Sequence, residues 1–131
     1  MRFARVAFLL AGIYGLIVIA PMYFMGTRIG SQMPPPITHP EYFYGFVGVT
    51  LAWQLAFLVV SMDPVRFRPL MLPAMVEKVT YGIAVIVLYS RHSIAPVVFA
   101  FGCVDWILLI VFLVAYALTG KTVATRREYS T

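Results

Sequence analysis

The apolar residues of this chain form four long runs separated by short polar or proline-rich segments. The runs cover about residues 5–25, 43–62, 71–90 and 94–118. Each run is close to the roughly 20 residues with which an α-helix crosses a bilayer. The first run follows Arg2 and Arg5 but is longer than the apolar core of a secretory signal, so we expect an uncleaved helix. The pattern predicts an all-α bundle of four transmembrane helices, a single integral membrane domain over residues 1–131.

The three connections are too short to be domains. The longest, residues 26–42, is rich in proline, and we expect it to be extended rather than helical. In the second connection, Asp63 followed by Pro64 is typical of a helix cap with one short turn. The third is a tight reversal at residues 90–93. Pro21 lies late in the first helix and should bend or end it near Val18.

Composition supports a membrane protein. Of the 131 residues, 62% are hydrophobic and 11% are charged, and the mean hydropathy is +0.90. Soluble domains are roughly one quarter charged, so this chain has too little polar material to cover a surface in water. A soluble enzyme and a disordered chain are excluded, and the single cysteine, Cys103, excludes an internal disulfide framework.

Positive residues favour an orientation with both termini in the cytoplasm. With four spans, one side of the membrane holds Arg2, Arg5, Arg66, Arg68, Lys121, Arg126 and Arg127. The other side holds Arg28 and Arg91, and basic residues concentrate on the cytoplasmic side of membrane proteins. The net charge of +5 therefore fits contact with anionic lipids, and we expect no nucleic-acid partner. Lys78 lies inside the third run, where it should extend to the interface or to a neighbouring helix.

Small residues at four-residue spacing predict where helices pack. They form two stripes, Ala7, Ala11 and Gly15 in the first helix and Gly48, Ala52 and Ala56 in the second. Such stripes let backbones approach closely inside a bilayer. Pairing of the two stripes is the simplest interpretation, because consecutive helices are usually neighbours. The alternative is that one stripe faces a second copy of the chain, as in a homodimer.

Polar residues inside the apolar runs are the candidates for a functional site. They are Glu77, Asp105, Gln54, Tyr81, Tyr14 and Thr50. Acidic groups near the centre of a membrane helix are unfavourable by about 2.5 to 3.5 kcal/mol, so they normally face the bundle interior. Glu77 and Tyr81 are four residues apart, as are Thr50 and Gln54, so each pair shares a helix face. We predict one ligand-binding or proton-linked cavity, open toward the cytoplasm.

A purely structural role for these polar groups stays open. Gln54 could bond to Glu77, and a protonated Asp105 could bond to Thr50 or to a backbone carbonyl, so that the side chains only hold helices together. The sequence does not decide between these two interpretations.

Residues near the ends of the helices suggest weaker sites. Arg66 and Arg68 flank the second connection and could bind lipid headgroups. His39, Glu41 and His92 lie on the opposite side, but no short ligand spacing links them, so we expect no metal site. Neither histidine lies within a span, which argues against haem, and we expect no cofactor. The sequence shows no catalytic triad or phosphate-binding loop, which favours a protein that is not an enzyme.

Four short motifs suggest a resemblance. They are His39-Pro-Glu-Tyr-Phe-Tyr-Gly45, Leu51-Ala-Trp-Gln54, Asp63-Pro-Val-Arg66 and Glu77-Lys78. With these motifs, residues 39–105 resemble a group of small four-helix bacterial membrane proteins that are uncharacterised. The resemblance implies a bacterial inner-membrane location and no assigned activity. In size and span number the chain also resembles the small multidrug-resistance transporters, but its first helix lacks their glutamate, so no site is carried over.

Three functions follow from this pattern. The first is a small bundle that binds a hydrophobic or amphipathic molecule in the Glu77 cavity, as a transporter or a sensor. The second is an accessory subunit whose small-residue stripes and intramembrane charges meet the helices of a larger membrane complex. The third, a membrane enzyme acting on a lipid or a quinone with Glu77 or Asp105 as proton donor, has the least support.

Overall fold

The computed structural model describes residues 1–128, with side chains for residues 1–125. This part of the chain folds into five α-helices, α1 (Arg2–Ile19), α2 (Gly26–Gln32), α3 (Pro40–Met62), α4 (Met71–Ser90) and α5 (Pro96–Glu128). All but α2 are long and apolar enough to cross a membrane, so the four predicted helices are confirmed. Helix α5 continues past its predicted end at residue 118. The side chains of Arg126 and Arg127, used above for orientation, lie outside the described residues.

Prolines set the limits of the long helices. Helix α1 ends at Ile19 and continues as a 3₁₀-helix over Ala20–Phe24. The change in helix type is expected, because Pro21 has no N–H to donate and its ring crowds the preceding turn. Helices α3 and α5 each begin on a proline, a position where the missing N–H would have no helical partner. The predicted end of the first helix near Val18 is thus confirmed.

The longest connection contains a helix that the sequence did not predict. Residues Gly26–Gln32 form α2, whereas the whole segment was expected to be extended. The prolines of this connection begin only at Pro34, so the seven residues before them are free to close helical hydrogen bonds. The side chains of Arg28 and Gln32 add a bond across one turn, with Nε donating to Oε1 at 3.2 Å. Only the proline-rich remainder is non-helical, as predicted.

The second connection contains the predicted cap. The side-chain oxygen Oδ1 of Asp63 accepts a hydrogen bond from the backbone N–H of Arg66 at 3.1 Å. The carbonyl oxygen of Asp63 accepts a second bond from the N–H of Phe67 at 3.0 Å. One turn is closed in this way before a short 3₁₀-helix, Arg68–Leu70, leads into α4.

The reversal between α4 and α5 is a Schellman motif that has histidine in place of the usual glycine. The N–H of Ser93 donates to the carbonyl oxygen of Leu88 at 2.9 Å, and the N–H of His92 donates to that of Tyr89 at 2.9 Å. His92 has a φ of 54°, the left-handed conformation that this motif requires and that glycine adopts most easily. The turn therefore carries local backbone strain.

We predict that His92→Gly raises the free energy of unfolding by about 0.5 to 1 kcal/mol, because the left-handed conformation then has no Cβ penalty. Unfolding of the purified protein in mixed micelles, followed as SDS is added, would measure the change. Ser93→Gly is the matched control, since Ser93 does not have a positive φ. If both variants shifted stability equally, relief of strain at residue 92 would not be the cause.

The long helices form a ring in the order α3, α1, α5, α4. Helix α1 packs along both α3 and α5, and α4 packs along α5, whereas α3 and α4 contact each other sparsely. Three phenylalanines fill the core, with the rings of Phe8 and Phe112 stacked at 4.2 Å and those of Phe57 and Phe112 edge to face at 5.1 Å. Ala4, Met71 and other buried residues surround them. This core lies near the start of α1, and we call that side of the bundle the terminal end.

The packing of α1 on α3 follows one of the two predicted stripes. Ala11 and Gly15 of the first stripe are buried, so this helix face is a packing seam as predicted. Ala52 of the second stripe is exposed, and the residues of α3 that pack on the glycines of α1 are instead Gln54 and Leu58. The pairing of the two stripes is therefore wrong, although the pairing of the two helices is right. Glycines in α1 leave room for larger side chains of α3, and spacing alone does not show this.

Helix α5 approaches α4 closely through Gly102. A Cβ at this position would lie 2.5 Å from Val85 Cγ1 and 3.0 Å from Val85 Cβ. A β-branched side chain in a helix has one strongly preferred rotamer, so Val85 cannot move aside easily. We predict that Gly102→Ala lowers the free energy of unfolding by about 1 to 3 kcal/mol, measured by the same SDS titration. Gly45→Ala, where a Cβ meets nothing within 4 Å, should not destabilise the protein.

Candidate functional site

The four long helices enclose a cavity of about 760 Å³. All six residues predicted as a site line it: Glu77, Asp105, Gln54, Tyr81, Tyr14 and Thr50. They come from four different helices, so only the tertiary packing could show that they meet. The predicted convergence around one cavity is confirmed, and a ligand-binding or proton-linked role for them stays a prediction.

The cavity extends away from the terminal end, toward α2. Its walls beyond the polar residues include Val18 and Met22 from the last part of α1 and its continuation, and Ile29 from α2. On the other side of the polar residues, Phe8, Phe57 and Phe112 are fully buried and pack against one another. The sequence predicted an opening on the side of the chain ends, and this is wrong. Three phenylalanine rings pack together in that half of the interior, whereas Gly15, Val18 and Met22 are among the residues that line the open half.

The cavity is also open at its side, between α3 and α4. These two helices have few contacts with each other. Val49 of α3 and Thr80 of α4 both line the cavity and are exposed. Phe46 and Tyr81 span this gap, with their rings stacked at a centroid distance of 5.9 Å. Because Val49 and Thr80 stay exposed beside this aromatic pair, a molecule could reach the cavity from the surroundings of the helices.

An ionic cluster of Glu77, Lys78 and Asp105 forms the inner end of the cavity. Lys78 Nζ lies 3.0 Å from Glu77 Oε2 and 3.0 Å from Asp105 Oδ1. The lysine side chain is 5% exposed, and the two carboxylates are 21% and 13% exposed. The ammonium group also lies 5.5 Å from the centre of the Phe57 ring. The cluster thus joins α4 to α5 at the boundary between the aromatic core and the cavity.

Lys78 is a site residue that the sequence reasoning missed. It was expected to extend to the interface or to a neighbouring helix, and it contacts the neighbouring helix α5 while remaining buried. Glu77 and Lys78 were expected not to face each other, because adjacent residues lie on different faces of a helix. The long lysine side chain nevertheless reaches the Glu77 carboxylate. The sequence contained a signal for this role. Two acidic residues and one lysine lie within the apolar runs, and buried carboxylates are stabilised by a nearby cation.

The cluster is not electrically balanced when all three groups are ionised. Two carboxylates surround one ammonium group, which leaves one negative charge without a partner. Lys78 Nζ donates hydrogen bonds to Glu77 Oε1 at 3.4 Å and to Asp105 Oδ1 at 3.0 Å. Glu77 Oε2, although close to Nζ, is buried without a hydrogen bond from residues 1–125. Because two carboxylates share one ammonium group in an apolar interior, the cluster can accept a proton or a further cation.

The neutral polar residues have different partners from those considered in the sequence. Gln54 is buried, and its Nε2 donates to the backbone carbonyl oxygen of Thr50 at 3.0 Å, within α3. Its side chain also packs directly on Gly15 of α1. Neither of the proposed bonds, Gln54 to Glu77 or Asp105 to Thr50, is present among these described residues. Of the predicted polar contacts between helices, the ionic cluster that joins α4 to α5 takes the place of those two pairs.

The two arginines proposed to bind lipid headgroups differ from each other. Arg68 is half-buried, with its guanidinium 3.6 Å from the centre of the Tyr116 ring. Its Nε also donates to the carbonyl oxygen of Tyr116 at 3.3 Å. Arg66 is exposed near the Phe67 ring. Arg68 therefore fastens the second connection to α5, and Arg66 is the better candidate for a headgroup contact.

The polar residues at the end of the bundle opposite the terminal end do not converge. His39 Nδ1 lies 3.1 Å from Glu41 Oε1 on an exposed part of the surface. His92 lies apart from them, in the turn beside Pro34 and Pro35. Among the residues that the structure describes, no three histidine, cysteine or acidic side chains are placed to hold a metal ion.

No family model, curated protein or solved structure matches this chain. The resemblance to small bacterial membrane proteins therefore stays a prediction. Support for a function comes from the cavity and from the charges at its inner end.

Proposed function

We propose that this chain is an integral membrane protein that binds a hydrophobic or amphipathic small molecule in its cavity, as a transporter or a sensor. The observation that carries the proposal is the cavity of about 760 Å³, which has mostly apolar walls and a charged cluster at one end. Ligand pockets are typically about 300 to 1,000 Å³, apolar, and equipped with a few convergent polar groups. The cavity satisfies each of these conditions.

We infer that the four long helices cross the inner membrane of a bacterium with both chain ends in the cytoplasm. Their outward-facing side chains are large and apolar, as lipid contact requires, for example Leu10, Ile17, Ile107 and Ile110. The exposed positive groups Arg2, Arg5, Arg66 and Lys121 share the terminal end. In that arrangement the gap between α3 and α4 faces the hydrocarbon layer, so an amphipathic ligand would enter from the bilayer.

Cysteine labelling tests the orientation. In a Cys103→Ala background, Ser31→Cys should react with a membrane-impermeant maleimide on intact cells. Lys121→Cys should react only after the cells are permeabilised. Both positions are exposed on the protein surface, so access depends on the membrane alone. The opposite labelling pattern would contradict cytoplasmic chain ends.

Binding is tested with N-phenyl-1-naphthylamine, an uncharged apolar fluorophore that accepts energy from tryptophan. In detergent micelles, fluorophore that partitions into the micelle gives a signal that rises linearly with its concentration. Energy transfer from the two tryptophans to bound fluorophore should add a component that saturates at one fluorophore per chain. Gly45→Phe adds a ring beside the cavity and should lower the affinity at least tenfold. Gly45→Ala adds only a Cβ in open space and should leave binding unchanged.

The result that would overturn the proposal is a signal that never saturates in the unmodified protein. An accessory subunit of a larger membrane complex is the competing function, and mass measurement after extraction in mild detergent distinguishes it. A protein that acts alone should have the mass of one or two chains plus detergent. Stable association with unrelated membrane subunits would favour the accessory role.

A further inference from the structure

We infer that the ligand is an amphipathic monocation, with one positively charged group that binds beside Glu77 and an apolar body that fills the rest of the cavity. This inference rests on the proposed function and specifies the chemical class of its ligand. It is carried by the charge balance of the ionic cluster and by the composition of the cavity walls.

The cluster favours a cation over an anion. With both carboxylates ionised, the three side chains sum to one negative charge, because the two acids share the single ammonium group of Lys78. An anionic group would have to be attracted by Lys78. That ammonium is 5% exposed and already lies 3.0 Å from a carboxylate oxygen of each acid. An anion would therefore add a second unpaired negative charge to an apolar interior, which is strongly unfavourable.

The described part of the cavity wall contains no second basic side chain. Among the described residues that line it, Lys78 is the only one with a positive side chain. The uncompensated charge amounts to one unit, so a single positive charge on the ligand balances the site. A dication would create the opposite imbalance.

The walls next to the cluster suit a weakly hydrated cation. Tyr81 and Phe46 stack against each other at the side opening, and Tyr14 lines the cavity from α1. Aromatic faces attract alkylammonium groups, more strongly where water is excluded. Asp105 adds a second carboxylate at the same end. A substituted amine or quaternary ammonium group matches these surroundings better than a small hydrated metal ion.

The remainder of the cavity suits an apolar chain or ring system. From the cluster toward α2, its walls are mainly apolar and include the side chains of Val18, Met22, Met25, Ile29 and Met33. Methionine adapts to ligands of varied shape because its side chain is unbranched and polarizable. The polar end and the apolar end of the cavity therefore order the ligand, with its charged group innermost.

Three probes of equal chain length test the inference on the full-length protein in detergent. They are decyltrimethylammonium, its uncharged isostere in which carbon replaces nitrogen, and decanesulfonate. Displacement of N-phenyl-1-naphthylamine gives their relative affinities. We expect the cation to bind at least tenfold more tightly than the isostere, and the sulfonate to bind most weakly.

Variants then assign the preference to the cluster. Glu77→Gln leaves one ammonium and one carboxylate, so the cation should lose its tenfold advantage while the isostere binds as before. Asp105→Asn balances the cluster in the same way and should give the same result. Glu41→Gln is the matched control, since it makes the same chemical change at an exposed site outside the cavity.

The outcomes separate this inference from the proposed function. Equal affinity for the cation and its isostere, or tighter binding of the sulfonate, would overturn the monocation inference while leaving a binding cavity. Displacement by none of the probes, combined with no saturable binding of the fluorophore, would overturn both. These comparisons need only the unmodified protein, so they remain decisive if a cluster variant fails to fold. A preference that survives in both cluster variants would also overturn the inference.

Discussion

Lys78→Met should lower the free energy of unfolding by about 3 to 5 kcal/mol, the range typical of breaking a buried ion pair. The substitution keeps most of the side-chain volume but removes the cation that lies 3.0 Å from oxygens of both Glu77 and Asp105. The two carboxylates would then face each other in an apolar interior. They would have to bind protons, draw in water, or push α4 away from α5.

Reversible unfolding in mixed micelles, followed by circular dichroism as SDS is added, would measure this loss. Lys121→Met is the matched control, because Lys121 is exposed and its loss should change stability little. The triple variant Glu77→Gln, Lys78→Met, Asp105→Asn removes all three charges and should recover most of the stability. If Lys78→Met were as stable as Lys121→Met, the cluster would not hold the helices together.

Phe57→Ala should lower the free energy of unfolding by roughly 3 kcal/mol, near the lower limit for buried phenylalanines in soluble proteins. The Phe57 side chain is fully buried and lies edge to face with Phe112 at 5.1 Å and with Phe8 at 5.9 Å. Its ring also lies 5.5 Å from Lys78 Nζ. The lower limit applies because lipid tails are as apolar as the core, so the loss comes from packing contacts and the void.

The same SDS titration measures the effect, and Phe24→Ala is the control because the Phe24 residue is 93% exposed. Phe57→Leu should lose less than the alanine variant, since it leaves a smaller void. A loss in Phe57→Ala no larger than in Phe24→Ala would contradict the view that the three phenylalanines form the core of the bundle.

Lys78 and Phe57 lie where two halves of one interior meet. The aromatic half holds the helices in register, and the ionic cluster lies directly on it through Lys78 and Phe57. The other half is hollow and lined by residues of all four long helices. Because close packing ends at the cluster, the charges lie where a ligand could reach them without disturbing the core.

The amino-acid sequence by itself determined the helices and most of their limits. Apolar runs of membrane-spanning length depend only on local order along the chain, and so do the helix start at Pro96 and the cap at Asp63. The polar residues within those runs were also visible, because any polar group in an apolar run is conspicuous. Helix α2 was missed, since the prolines of its connection were taken to govern residues that precede them.

Only the tertiary structure decided how the polar residues are paired and where the cavity lies. The partners of Lys78 are a sequence neighbour and a residue 27 positions away, and no helical spacing relates the three. The cavity lies toward α2 because Phe8, Phe57 and Phe112 meet from three helices and fill the opposite half. Side-chain length, rotamer and the packing order of the helices determine such contacts. The periodicity of a single helix contains none of this information.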